Sequence, residues 1–229
     1  MNTKITQHHF KRVVAIADVH GCIGLLRKLI EQIIRFNAKE DCLVFLGDYI
    51  DYRSANKEVS RNGISSLWVV EYVSELRNKF KNHIFLCKGN HELMCQQYFK
   101  SNSPRDFQEW QLNGSTETIS SFGSIETTRE VLVPFIESLS IYVESEDYIF
   151  VHGCVPYDET LQTATEDELL NCRYFEVYRG DKTLIVGHSI HKEITFYSKV
   201  VAIDTGAFCY GRLSAFDVIS KIIYEAQDP

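Results

Sequence analysis

Three short apolar runs constrain this chain more than any other feature: Val13–Ala17, Leu43–Leu46 and Ile84–Cys87. None alternates with polar residues, and a strand without a polar face has to be covered on both sides. Between the first two runs lies a stripe at helical spacing, Leu25, Leu26, Leu29, Ile30, Ile33 and Ile34, ending near Asn37. The same spacing recurs before the third run, in Ile64, Leu67, Val70, Val73 and Leu76. The order strand, helix, strand, helix, strand predicts parallel pairing joined by crossover helices, an α/β fold.

The second half has a different rhythm. Helices are predicted over Ser103–Asn113 and Thr127–Ser138, then a hairpin of Ser140–Glu144 and Tyr148–His152 around Ser145-Glu146-Asp147. Thr183–Gly187, Ile194–Tyr197, Val200–Asp204 and Arg212–Ile219 are predicted as further strands with short turns. The expected architecture is an α/β sandwich, parallel in its first half and more antiparallel in its second. No repeat or linker-like stretch divides the 229 residues, so a single domain over 1–229 is expected.

Composition removes whole classes of function. Acidic residues outnumber basic ones 31 to 24, for a net charge of −7, which argues against a nucleic-acid-binding face. No apolar run approaches the roughly 20 residues that span a bilayer. Met1–Arg12 has no apolar core of a secretory signal. The cysteines number seven, with no Cys-x-x-Cys, so a disulfide framework is not expected and a cytoplasmic setting is. They read as small core residues, Cys22 and Cys154 included, although each follows a histidine of interest by two positions. His8, His9, His83 and His191 read as surface or core histidines, and Glu166-Asp167-Glu168 as a solvated helix start.

Each apolar run of the first half ends in a polar cluster beside glycine. The clusters are Asp18-Val19-His20-Gly21, Gly47-Asp48-Tyr49-Ile50-Asp51 and Gly89-Asn90-His91-Glu92, and two later strands end in His152-Gly153 and Gly187-His188. Ligands of open α/β sheets bind beyond the carboxyl ends of the strands, so all five clusters can meet in one crevice. Carboxylates, imidazoles and one carboxamide, without a thiolate, suit Mn, Fe or Zn better than a cysteine-rich structural zinc. That set can fill two metal sites roughly 3.5–4 Å apart with one carboxylate bridging.

These blocks resemble the signature of the calcineurin-like metallophosphoesterases. Within that superfamily they are most similar to the small bacterial and phage members of the phosphoprotein phosphatase family. Three weaker blocks point the same way: Trp110-Gln111-Leu112-Asn113-Gly114, Arg173, and Ile203-Asp204-Thr205-Gly206-Ala207. The likeness runs from about Val13 to Val218. It implies an α/β/β/α sandwich of mixed sheets and two divalent metal ions, manganese before iron or zinc. By the resemblance, Asp18 and His20 would bind the first ion, Asp48 would bridge, and Asn90, His152 and His188 would complete the second site. His91, paired with Asp51, would be the general acid, and Arg173 a phosphate-binding arginine.

The chain departs from the family pattern at Ala17, where glycine is usual, at His152-Gly153, and at His188-Ser189. The larger departure is Asp51-Tyr52-Arg53, where arginine normally follows the aspartate directly. Arg53 is expected to reach the phosphate all the same, with Tyr52 on the crevice wall. A continuous extended path through Asn90 and His91 would point their side chains opposite ways, His91 toward substrate.

The resemblance implies attack on phosphorus by a hydroxide held between the two ions, with His91 protonating the leaving oxygen. The leading substrate class is phosphoserine and phosphothreonine in proteins, with phosphotyrosine and small phosphate esters beside it. The alternative is a dinucleoside tetraphosphate hydrolase, and a third reading is an inactive metal-binding relative. Arg53–Asn62 and about Ser101–Glu126 are expected to frame the crevice and choose the substrate.

Overall fold

A computed structural model describes residues 2–33, 40–52, 64–175 and 178–228 of the chain. Two mixed sheets form its centre. One has the strand order β11-β10-β2-β3-β4, made of β2 (Arg12–Ile16), β3 (Asp41–Phe45), β4 (Ile84–Leu86), β10 (Arg212–Asp217) and β11 (Ile223–Gln227). The other has the order β1-β5-β6-β7-β9-β8, made of β1 (Thr3–Lys4), β5 (Tyr142–Glu144), β6 (Tyr148–Val151), β7 (Thr183–Val186), β8 (Thr195–Phe196) and β9 (Val200–Ala202).

The three apolar runs become β2, β3 and β4, paired in parallel. Their alternate side chains serve two cores. Val13, Ala15, Cys42 and Val44 face the other sheet and meet Val143, Phe150, Ile185 and Val201 there. Val14, Ile16, Leu43 and Phe45 face a helical layer. That layer contains α1 (Ile23–Gln32), α2 (Ser66–Phe80), α3 (Asn90–Ser101), α4 (Pro104–Leu112), α5 (Ser115–Phe122) and α6 (Ile125–Glu137). A third core, including Leu169 of α7 (Glu166–Asn171), Val155 and Phe175, covers the outer face of the second sheet.

In the second half, β5–β6 and β8–β9 are antiparallel as expected, β10 returns antiparallel to β2, and β11, a strand outside the expectation, pairs antiparallel with β10. The strands β6, β7 and β9 nevertheless pair in parallel. Each sheet therefore contains a parallel trio whose carboxyl ends point the same way. The loops after these trios carry the polar clusters.

Local sequence explains most of the helix starts. Ser65, Ser103, Ser124 and Thr165 cap α2, α4, α6 and α7 through their side-chain oxygens, and Pro104 stands in the first turn of α4. α8 is a single turn, Ala207–Tyr210, after β9. All seven cysteines are free, and Cys22, Cys42, Cys87, Cys95 and Cys154 are buried. Among the described residues no helix is long and apolar enough to cross a membrane.

Candidate active site

Beyond the carboxyl ends of the two parallel trios lies a cleft of about 290 Å³, lined by residues that include Asp18, His20, Asp48, Asn90, His91 and His188. Arg173 and Asp204 also reach it. His152 is fully buried beneath, and Asp51 lies behind His91. A larger cavity of about 480 Å³ lies elsewhere, against the 155–162 segment. None of its lining side chains is a histidine, and its Lys182 is already paired with Glu144 at 2.7 Å.

The loops that bring these groups together take unusual backbone angles. Asp18, His20, Asp48, Asp51 and His188 all have positive φ, between 40° and 63°. Non-glycine residues adopt that region at a cost, and such positions gather where surrounding structure holds them for function. Glu92, buried at the start of α3, holds one of these loops. Its two carboxylate oxygens accept the backbone N–H groups of Asp48 (2.8 Å), Tyr49 (2.9 Å), Ile50 (3.3 Å) and Gly89 (2.9 Å). Burial and the charge of Asp48 push the Glu92 carboxyl up to about 7, against the pull of the Gly89 N–H.

The donor atoms converge on Asp48. Its Oδ2 stands 3.4 Å from His20 Nε2, 3.3 Å from His152 Nε2 and 3.9 Å from His91 Nε2. Two groups of potential ligands share it: His20, Asp48 and His91, and Asp48, His152 and His188. His20 Nδ1–H donates to the carbonyls of Ile50 (3.0 Å) and Asp51 (2.8 Å), and His152 Nδ1–H to Leu46 (3.0 Å). With Nδ1 so committed, each of these imidazoles in its neutral form turns its Nε2 lone pair toward Asp48. His152 Nε2 also faces Asn90 Oδ1 at 2.9 Å. In this neutral form lone pairs point at lone pairs, and among the described residues the buried Asp18 Oδ1 has no hydrogen-bond partner, while its Oδ2 accepts the His188 N–H at 2.9 Å. A pocket of converging acceptors is what a hard or borderline divalent cation satisfies, so the residues present fit metal.

The charge states point the same way. Burial holds His20 down at about 4 and, with His152 and Arg173 nearby, His188 down at about 2. Both are therefore neutral, as ligands must be. Burial and the neighbouring Asp204 and Asp48 raise Asp18 well above its ordinary value, and burial also raises Asp204, to about 6. Burial would raise Asp48 too, but the surrounding imidazoles of His152, His91 and His20, whichever of them carries a proton, outweigh it and hold it well below.

His91 has a different setting. Its Nδ1–H donates to Asp51 Oδ2 at 3.0 Å, and its main-chain N–H donates to Asp48 Oδ1 at 3.1 Å. Burial alone would lower the imidazole, yet Asp48 and Asp51 hold it up at about 9. Arg173 follows α7, donates to the His188 carbonyl and to Ser189 Oγ (3.2 Å), and places Nη2 3.4 Å from His188 Nδ1.

Two expectations need correction, and one falls outside the described residues. Asn90 and His91 do not lie on an extended segment: they open α3, so their side chains diverge by a helical step of about 100° rather than by 180°. Tyr52 is not on the cleft wall. The left-handed turn at Asp51 sends it into the helix-side core, where it is 7% exposed. Arg53 lies outside the described residues. Glu92, Trp110, Thr118 and Asp204 carry structural duties at the site that had no role in the sequence reading. Glu92, Trp110 and Asp204 stand inside the motif blocks, whereas Thr118 lies in no motif and only within the Ser101–Glu126 segment expected to frame the crevice.

Residues 11–206 match the calcineurin-like phosphoesterase family. The chain belongs to that family. It is accordingly a phosphoesterase, a hydrolase of a family that uses divalent metals. It is 28% identical over 225 residues to serine/threonine-protein phosphatase 2 of Salmonella typhimurium, covering 91% of this chain and 94% of that one. A symmetrical bis(5'-nucleosyl)-tetraphosphatase of Legionella pneumophila is 39% identical over 79 residues, 34% of this chain and 23% of that one. Among solved structures, one provisionally assigned as a diadenosine tetraphosphatase superposes with a TM-score of 0.72 at 17% identity. It covers 100% of this chain and 98% of its own, a likeness of fold.

Proposed function

We propose that this chain is a two-metal phosphomonoesterase that hydrolyses phosphoserine and phosphothreonine in proteins, with phosphotyrosine as a further substrate. The observation that carries the chemistry is the His91–Asp51 pair, 3.0 Å apart, set beside a pocket of converging acceptors around Asp48. Asp18, His20 and Asp48 would hold one cation, and Asp48, Asn90, His152 and His188 a second, manganese being the proposed metal. When bound, two such ions supply a nucleophilic water near neutral pH and positive charge beside the phosphoryl oxygens.

The chain's own residues do the rest. Protonated His91 gives its Nε2 proton to the oxygen that leaves phosphorus, while Asp51 holds the ring through Nδ1. The Asp48 carboxylate accepts the main-chain N–H of His91, which fixes the acid relative to Asp48, the residue that would be shared by both cations. Arg173 turns from the His188 carbonyl to the phosphate, where a planar guanidinium can clamp two oxygens. Arg53 is proposed for the same task.

The choice of substrate rests on extent. The likeness to the Salmonella phosphatase spans nearly the whole of both chains, whereas the likeness to the tetraphosphatase is confined to 79 residues. That local 39% identity is nonetheless what favours a dinucleoside tetraphosphate as the second reading. Purified protein with Mn²⁺ should be assayed side by side on phosphoserine, phosphothreonine and phosphotyrosine peptides and on diadenosine tetraphosphate. Turnover of the peptides well above the dinucleotide supports the proposal, and the reverse order replaces it with the second reading.

A further inference from the structure

The Asp51 carboxylate has more partners than His91. Trp110 Nε1–H donates to Oδ2 at 2.8 Å, the oxygen that also accepts from His91. Thr118 Oγ1–H donates to the other oxygen, Oδ1, at 2.7 Å, and the same Oγ1 accepts the Asp51 backbone N–H at 2.9 Å. Ser66 Oγ, 3.1 Å from Thr118 Oγ1, must be the donor there, since the Thr118 proton is already spent on Asp51. Trp110, Asp51, Thr118 and Ser66 are all buried.

Trp110 lies on α4 and Thr118 on α5, and the turn between them closes onto Asp51 itself. At Gly114 the backbone has φ +112°, and a β-carbon there would stand 3.2 Å from Asp51 Cβ. Only glycine allows both that angle and that approach. The two helices thus grip one carboxylate from both oxygens and from its backbone.

We propose that the α4–α5 pair is a clamp on the acid, with Trp110 and Thr118 as positioning residues. They fix the Asp51 carboxylate in the one rotation that presents Oδ2 to His91 Nδ1 and so aims His91 Nε2 into the cleft. Without Thr118 the Oδ1 end loses its anchor, the carboxylate can pivot on the single oxygen that Trp110 still holds, and the imidazole loses its fixed aim. This rests on the reading of His91 as leaving-group acid, and it gives the Trp110–Gly114 block a purpose separate from metal binding.

The test uses the Mn²⁺-loaded enzyme on two substrates, a phosphoserine peptide with a poor leaving group and p-nitrophenyl phosphate with a good one. Thr118→Val should lower kcat on the peptide by roughly 10–10²-fold with KM little changed, because an acid that is misaimed loses part of its contribution. The loss on p-nitrophenyl phosphate should be much smaller, and Thr118→Ser, which keeps the hydroxyl, should recover most of the activity. Trp110→Phe should follow Thr118→Val, and the Thr118 pair decides the matter if that variant fails to fold. In a His91→Asn background Thr118→Val should add no further loss. Proton NMR of the metal-free protein gives a readout independent of turnover: a downfield imidazole N–H signal, absent in His91→Asn, should move in Thr118→Val and return in Thr118→Ser. Equal losses on both substrates, or a full additive loss in the His91→Asn background, would reduce the clamp to a packing element. A His91→Asn enzyme that shows no leaving-group contrast overturns the acid role itself and the clamp with it. Contrast in His91→Asn but none in Thr118→Val overturns the clamp alone.

Discussion

Gly89 lies so close to Asp48 that a β-carbon added to it would stand 2.1 Å from Asp48 Oδ1 and 2.5 Å from the Asp48 backbone nitrogen. Its φ of −104° is open to any residue, so space and not backbone angle demands glycine here. The other sheet repeats the device, with a β-carbon on Gly187 falling 2.2 Å from Asp18 Oδ1. Gly89→Ala should therefore push Asp48 out of position as well as strain the β3–β4 junction. We expect a stability loss of about 1–3 kcal/mol by urea unfolding, together with reduced Mn²⁺ binding by calorimetry. Unchanged metal affinity in a destabilised Gly89→Ala protein would show that Asp48 can yield without consequence.

Glu92 offers a second handle on the same loop. Four backbone N–H groups point at its carboxylate, three of them from Asp48, Tyr49 and Ile50. Gln has the same shape, but one of its two ends is an NH₂ that must face N–H donors. Glu92→Gln should cost roughly 2–4 kcal/mol in stability and release the left-handed turn at Asp48. Loss of metal content in a protein that is still folded is the expected signature, measured by elemental analysis after gel filtration. A variant that binds metal normally would confine Glu92 to a capping role.

Much of this was legible in the sequence for a definite reason. β2, β3 and β4 are buried on both faces, so they read as apolar runs, and the residues after them have no reason to be Asp, His or Asn unless a site requires them. What escaped depends on distance along the chain. The grip of Trp110 and Thr118 on Asp51 spans 59 and 67 residues, and no local pattern announces it. α5 is made largely of serine and threonine, weak helix formers that tertiary contact overrides. β1 has two residues and no periodicity to read. β11 is an edge strand, with Ile223 44% exposed, and so lacked the apolar run that marked its neighbours. The helical start at Asn90 was ambiguous because Gly-Asn-His-Glu caps a helix as readily as it turns a loop.

Metal dependence gives the most direct test of the candidate centre. Asp48 is the carboxylate shared by both groups of potential ligands, so its loss should damage both. Asp48→Asn keeps the volume and an acceptor for the His91 N–H, so the fold should survive. Expected are weakened Mn²⁺ binding at two sites by calorimetry and turnover at background, with an unchanged far-ultraviolet spectrum. Chelator-treated wild type should likewise lose turnover and regain it with Mn²⁺. Full activity in protein shown by elemental analysis to be metal-free would remove the two-metal reading.

The last prediction concerns the charge on His91 when no metal is bound. Burial alone would lower this imidazole, but Asp48 and Asp51 raise it from 6.5 to about 9. The folded protein then keeps a proton that the unfolded chain has released. The stability this contributes is complete below about 6.5 and is lost as pH climbs through about 9. Buried cysteines add a slope of the same sign at the alkaline end, because burial pushes Cys22 and Cys87 up to about 12. That slope is common to wild type and His91→Asn, so the difference between the two proteins isolates His91. With chelator present, the stability advantage of wild type over His91→Asn should fall by on the order of 1–3 kcal/mol between about pH 7 and pH 9.5. Urea unfolding at each pH measures it. A difference that stays flat across that window would mean that Asp48 and Asp51 do not keep the imidazole protonated, and the acid would then owe its proton to the bound substrate instead.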